Sequence, residues 1–296
     1  MNPYYKDFSE YMQEVFPGIK VQKLSIDAGF TCPNRDGSIG TGGCIYCNNA
    51  SFTPVYCSPK DSVETQILKG KEFFRRKYPQ MKYLAYFQSY TNTFGKSVKT
   101  LVEMYRKAVE IEDVVGLIIG TRPDCIPDEL IEALSQLNRE KPVIVEIGAE
   151  TSKDETLCLI NRNHTWSDVE DAAKRLNDRG IRTGLHLIAG LPGENEEDVL
   201  KTVRKACELP IDSIKLHQLQ IVKGTPLLSK WEKGEIEVKP FTQEDYLDLC
   251  VRIVKTVPRY ICIERFLASS PPEMVGAPKW GLKNYQFTNL LMNKLR

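Results

Sequence analysis

Apolar residues fall along the chain in two alternating patterns. Short, nearly continuous apolar runs read as strands; between them, apolar residues recur every three or four positions, as on one helix face. A first helix is predicted over 3–16, with Tyr4, Phe8, Tyr11, Met12 and Val15 on one side, then a strand over 20–26. Helix 61–78 carries Val63, Ile67 and Phe74, and a strand over 82–88 follows. Helix 97–110 sets Leu101, Tyr105 and Val109 in register behind Ser97 as N-cap. Strand 114–119, helix 128–137 and strand 143–147 continue the alternation. Helix 167–178 shows a capping box in Ser167 and Glu170, a stripe of Val169, Ala172, Ala173 and Leu176, and a stop at Gly180. Strand 181–189, helix 196–207 and strand 214–219 complete six alternations.

Such alternation implies parallel strands joined by crossover helices. Parallel strands covered on both faces are nearly continuously apolar, as Val114-Val-Gly-Leu-Ile-Ile and Val143-Ile-Val-Glu-Ile are. The expected class is α/β, a barrel closed or partly closed, with six units where a full barrel has eight. From about residue 221 the alternation stops. A helix is predicted over 241–256, and the tail 271–296 holds Pro271-Pro272, Trp280 and a short terminal helix. The expected division is a barrel with its N-terminal helix over 1–220 and an extension over 221–296 packed on it.

Composition changes this picture little. The 296 residues carry 40 basic and 39 acidic side chains, a net charge of +1, which gives no push toward nucleic acid or membrane. Lys71, Arg75, Arg76 and Lys77 make one basic run, which reads as a solvated helix face. The polar N-terminus is no signal peptide, and no apolar run approaches a membrane span. The expected compartment is the reducing cytoplasm. Of nine cysteines, Cys125, Cys158, Cys207, Cys250 and Cys262 sit in helix or strand segments and read as small buried hydrophobes.

The remaining cysteines change the picture most. Cys32-Pro-Asn-Arg-Asp-Gly-Ser-Ile-Gly-Thr-Gly-Gly-Cys44-Ile-Tyr-Cys47 spaces three thiols as C-x11-C-x2-C in one polar, glycine-rich loop. The loop has almost no apolar material to fold around, so a metal or cluster is expected to order it. Cys44 and Cys47 alone fit half a zinc ribbon or a redox pair, and Cys57 is available as a fourth zinc ligand. Three thiolates without a fourth suit a four-iron cluster with one iron left open.

The loop resembles that of the radical S-adenosylmethionine (SAM) enzymes. Their commonest spacing is C-x3-C-x2-C; the longer first gap is that of the elongator-type branch. Phe30-Thr-Cys-Pro-Asn-Arg-Asp-Gly and Gly42-Gly-Cys-Ile-Tyr-Cys resemble the YhcC/YtqA-like bacterial subfamily. The resemblance implies a partial (β/α)6 radical-SAM barrel with a C-terminal extension. It implies a [4Fe-4S] cluster on Cys32, Cys44 and Cys47, SAM on the open iron, and an electron donor such as flavodoxin or ferredoxin. Zinc in place of the cluster, or a barrel that has lost its chemistry, is the alternative.

In such barrels the site lies in the loops after the strands. By resemblance Tyr46 lies near the adenine. The usual Gly-Gly-Glu after the second strand is missing, and Gln88, Ser89, Thr91 and Asn92 supply neutral acceptors there. Gly120 replaces an acid of the elongator-type relatives, and Arg122 and Asp124 are placed to pair with each other or to meet substrate. Glu150 and Arg162 are implied to contact SAM, a guanidinium fork suiting a carboxylate. Gly190, Pro192 and Gly193, in Gly-Leu-Pro-Gly-Glu, resemble the motif that supports adenine and ribose. His164 and His217 are candidate proton-transfer residues. The branch points to wobble uridine in tRNA as substrate; a small metabolite or a peptide is the alternative. Lys279, Trp280, Lys283 and Tyr285 suit an RNA-facing border, although Trp280 equally suits a buried anchor.

Overall fold

The structure, a computed structural model, describes residues 2–75, 80–268 and 270–296. The chain opens with β1 (Lys6–Asp7), α1 (Phe8–Val15), β2 (Val21–Ile26), the cysteine loop and α2 (Val63–Arg75). Then come β3 (Lys82–Phe87), α3 (Val98–Glu110), β4 (Val114–Thr121), α4 (Asp128–Glu140), β5 (Val143–Glu150), α5 (Asp154–Leu159) and α6 (Trp166–Asp178). They are followed by β6 (Arg182–Ala189), α7 (Glu196–Cys207), β7 (Ser213–Gln218), β8 (Ile221–Val222) and α8 (Pro226–Glu232). The chain closes with α9 (Gln243–Thr256), β9 (Cys262–Arg265), β10 (Val275–Ala277) and α10 (Asn284–Leu295).

Eight strands form one parallel sheet in the order β1-β9-β7-β6-β5-β4-β3-β2. Its edges, β1 and β2, do not pair with each other, so the expected partial barrel is found, with eight strands instead of six. Strand β9 inserts between β1 and β7, so the alternation runs on past residue 221. Strands β8 and β10 make a separate antiparallel pair.

Successive strand residues point to opposite faces. Ala85, Phe87, Leu117 and Ile119 join Leu101, Leu130 and Val169 of the helices in the outer core. On the other face, Leu84, Tyr86, Ile118 and Ile144 pack with Tyr11, Met12 and Phe16. Helix α1 therefore plugs the barrel interior toward the N-terminal ends of the strands. Burying its three large side chains contributes about 1.5–3 kcal/mol each.

Several expected elements shift for local reasons. Helix α1 starts at Phe8 because residues 6–7 pair with β9 and Asp7 caps Glu10 N at 2.9 Å. Helix α6 starts one residue early, capped by Thr165 and Asp168 instead of Ser167 and Glu170. Trp166 thereby buries its ring, and its backbone N–H donates to Asp154 Oδ1 at 2.8 Å. Cys125, Cys250 and Cys262 are buried, but Cys158 is exposed because α5 turns Leu157 inward instead. Lys71 pairs with Asp113 and Arg75 with Glu72; Arg76, Lys77 and the end of the expected helix 61–78 lie outside the described residues. Trp280 lies 5.5 Å from the Tyr246 ring and stacks on Phe287, so it anchors the tail. Among the described residues, no helix is long and apolar enough to cross a membrane.

Candidate active site

The cysteine loop is ordered by the chain itself. Asn34 is fully buried; its side chain donates to the Asn161 carbonyl and accepts from Asn163, and its carbonyl accepts from Gly43 N at 2.8 Å. Asn161 returns the contact, donating to the Gly43 and Thr41 carbonyls at 2.8 and 3.2 Å. Asn161 and Asn163 both adopt φ of 56°, a left-handed conformation that asparagine tolerates better than most residues. Gly40 is required by close approach, since a Cβ there would lie 2.5 Å from Asn34 Oδ1. Ile45 anchors the far end, packing with Leu157, Ile160 and Leu191. Besides the metal or cluster expected to order this loop, the loop after α5 contributes its own hydrogen bonds to it.

Cys32, Cys44 and Cys47 line one cavity of about 250 Å3. Cys57 turns away, its S–H donating to the Ser25 carbonyl at 2.9 Å, and burial pushes its thiol up to about 12. The donor set is therefore three thiols lining one cavity, the number that suits a cluster with an open position, although among the described residues no three such groups stand close enough to hold a single metal ion. Burial likewise pushes the Cys47 thiol up to about 11. Arg35 ties the loop's end, donating to the Cys47 carbonyl at 2.8 Å.

Beside the thiols stand Tyr46, Glu150 and Arg162, all lining the cavity. Strand β5 bulges between Gly148 and Glu150, and Glu150 takes a φ of 65°. Bulges and strained residues re-aim side chains at the ends of strands. Arg162 Nη2 reaches the Gly148 carbonyl at 2.7 Å and Glu150 Oε1 at 3.3 Å, and its Nη1 lies 3.8 Å from Cys44 Sγ. Burial opposes the Arg162 charge, but Glu150, Cys44 and Tyr46 outweigh it. A Cβ at Gly148 would sit 2.6 Å from Arg162 Nη2, so a side chain there would displace the guanidinium. Arg122 makes a two-pronged pair with Asp124 at 2.9 and 2.7 Å and donates to the Arg162 carbonyl, so its work is to hold this loop.

The structure brings Gln88, Thr91 and His217 to the same cavity, but not Ser89, Asn92, Gly190, Pro192, Gly193 or His164. Asn92 is buried in the strand ends, donating to the Phe87 and Gly120 carbonyls at 3.0 and 2.8 Å. Ser89, between the lining Gln88 and the exposed Tyr90, is itself buried and points elsewhere. The Gly190–Gly193 turn supports from behind, with Leu191 packed on the Ile45 cluster and Lys153 reaching the Gly193 carbonyl at 2.9 Å. His164 is a spacer: it accepts from Arg162 Nε at 3.0 Å and meets the Thr165 carbonyl at 3.1 Å. Burial, then the Arg162 charge, pushes it down to about 3, so it stays neutral and is no proton donor at ordinary pH.

The floor of the cavity was not foreseen. Lys23, Tyr86, Glu146, His186, Lys215 and Glu264 come from six strands and meet inside the barrel above the α1 plug. Glu146 takes contacts from Lys23 (2.6 Å), Tyr86 (2.7 Å), His186 (2.7 Å) and Lys215 (3.0 Å). Burial alone would raise its carboxyl, but Lys215, Lys23 and His186 hold it well below the usual range. His186 and His217 are lowered, first by burial, then by Lys215 and Arg265 respectively. The sequence signal was a lone ionisable residue inside a strand that should be apolar, as in Val143-Ile-Val-Glu146-Ile and Ile214-Lys215-Leu216.

Comparison with known proteins follows the same lines. The model of the Radical SAM superfamily matches residues 35–206, starting three residues after Cys32, and the model of the Radical_SAM C-terminal domain matches residues 211–296. YtqA of Bacillus subtilis is 34% identical over 291 residues, which cover 98% of this chain and 89% of YtqA. YhcC of Escherichia coli K12 is 38% identical over 264 residues, covering 89% of this chain and 83% of YhcC. A tRNA uridine(34) acetyltransferase of Methanocaldococcus jannaschii is 28% identical over 164 residues, covering 54% of this chain and 29% of that protein. The solved structure of archaeal Methanocaldococcus infernus Elp3, lacking its N-terminus, shares the fold with a TM-score of 0.69 at 18% identity. That match covers 94% of this chain, which spans only 63% of the solved Elp3 chain. The superfamily match takes in more than half of the residues, and the chain belongs to the Radical SAM superfamily of enzymes, with YhcC and YtqA among its relatives.

Proposed function

We propose that Cys32, Cys44 and Cys47 hold a [4Fe-4S] cluster, that Glu150, Arg162, Tyr46, Gln88 and Thr91 receive SAM, and that the substrate is a uridine base at the tRNA wobble position. The observation that carries the reading is the shared cavity: three thiols, the Glu150–Arg162 pair and an ionisable floor all face it. When bound and reduced, a cluster of this kind with SAM supplies a 5′-deoxyadenosyl radical that takes hydrogen from an unactivated carbon. The residues have separate tasks. Arg162 offers a guanidinium to a carboxylate, and the Gly148 carbonyl and His164 fix its orientation. Tyr46 supplies an aromatic wall, and the Ile45 cluster behind it keeps water out. A flavodoxin or ferredoxin would deliver the electron. Support for tRNA comes from the partial similarity to the uridine(34) acetyltransferase. The laterally open barrel admits a large substrate.

Protein purified and reconstituted without oxygen should carry about four irons and four sulfides. With SAM and a reductant it should form 5′-deoxyadenosine above a no-enzyme control. Nucleoside mass spectrometry of tRNA from cells with and without the gene should show a changed wobble uridine. A colourless protein with one zinc, or no 5′-deoxyadenosine, would refute the cofactor assignment. An unchanged tRNA profile while the protein is made would remove RNA and put a small metabolite or peptide first.

A further inference from the structure

Four arginines line the cavity: Arg35, Arg122, Arg162 and Arg265. Three have an oxygen partner. Arg122 pairs with Asp124, Arg162 with Glu150, and Arg35 donates to the Cys47 carbonyl. Arg265, the last residue of β9, is different. Its Nη2 lies 3.2 Å from His217 Nδ1, its Nε is buried without any hydrogen bond, and no carboxylate reaches it among the described residues.

The neighbouring charges do not supply the missing partner. Lys23 contacts Glu146 and Glu264 at 2.6 and 2.7 Å, and Lys215 contacts the same two acids at 3.0 and 3.3 Å. Two cations and two carboxylates thus balance each other in a closed quartet. His186 and His217 carry no negative charge in either protonation state, so neither is the missing partner. A guanidinium facing a cavity with an unused Nε donor is costly unless an anion meets it. Strand β9 brings Arg265 to the cavity floor beside the quartet, since its Glu264 meets Lys23 of β2 at 2.7 Å across the curled sheet.

We propose that Arg265 is the docking group for a substrate oxyanion, a carboxylate or a phosphate, held at the cavity floor with His217 beside it. The inference rests on reading this cavity as the substrate chamber. The planar guanidinium fork suits a group presenting two oxygens, which sets the chemical class of the substrate.

The test uses the full chain with inorganic phosphate and acetate as probes, titrated at constant ionic strength against chloride. Thermal unfolding and calorimetry read the binding. One anion should bind saturably; phosphate would mark a phosphorylated or nucleotide substrate, acetate a carboxylate one. R265Q should lose about tenfold or more in affinity, and R265K, which keeps the charge without the fork, should fall between. Saturation by neither anion, or equal binding by R265Q, overturns the proposal. If R265Q does not fold, the wild-type titration and R265K decide. Arg265-dependent binding in protein that makes no 5′-deoxyadenosine would refute the radical reading while supporting this one. 5′-Deoxyadenosine formation without such binding would overturn this one alone.

Discussion

At the residue scale, Arg162 concentrates the site's geometry: one guanidinium touches the Gly148 carbonyl, Glu150, His164 and Cys44. Arg162→Ala should weaken SAM binding about tenfold or more while iron content stays at the wild-type level. Equilibrium dialysis checks this, and unchanged affinity would remove Arg162 from SAM recognition. His164 makes a pH prediction. Its folded value is about 3, against about 6.5 in an unfolded chain. Between these values only the unfolded chain takes the proton, so stability is lost as pH falls below about 6.5. From pH 7 to 5.5 that loss is about 1 kcal/mol. His164→Asn should lose about that much less over the same range in urea unfolding, and an identical loss in both proteins would contradict the buried neutral state. That Arg162 reaches the cavity was legible from the resemblance and from its place in the loops after the fourth strand. The neutrality of His164 was not, because it depends first on burial, then on the Arg162 charge beside it and on Arg122 from another loop.

At the element scale, the cysteine loop and the 160–164 loop are one unit, joined by Asn34, Asn161 and Asn163. Asn161→Ala removes two side-chain bonds to the loop and places alanine at a positive φ. It should cost about 1–3 kcal/mol and lower the iron retained after reconstitution. Full stability and full iron would show that the thiol loop orders independently. Cys57→Ala, by contrast, should keep full iron and sulfide, because its thiol faces the Ser25 carbonyl; loss of iron would identify a fourth ligand. Strands β3 to β7 were legible because buried parallel strands are apolar along their length. Strand β9 was not: Cys262-Ile-Glu-Arg265 has two apolar residues followed by two ionisable ones, which serve the barrel interior. The start of α6 was misplaced because two overlapping capping patterns fit the same six residues, and only the packing of Trp166 chooses between them.

At the scale of the whole molecule, the ionic quartet joins β2, β5, β7 and β9. Glu146→Gln would leave Lys215 and Lys23 sharing one carboxylate and should destabilise the fold by about 3–5 kcal/mol. A loss under about 1 kcal/mol in urea unfolding would mean that water already compensates these charges. The cysteine half of the cavity was readable from spacing within one loop. The floor was not, because its members are far apart in sequence and share a face only once the sheet curls. The place of β9 carries one more consequence. Strand β1 hydrogen-bonds only to β9, so Lys6 waits for Cys262, about 250 residues later, before its strand exists. At translation rates of about 5–20 residues per second, that wait is roughly ten to fifty seconds. Throughout it the apolar face of α1 has no finished barrel to enter, and Lys23 and Lys215 lack Glu264. Closure of the sheet is therefore a late folding event, set by a contact of very long sequence separation.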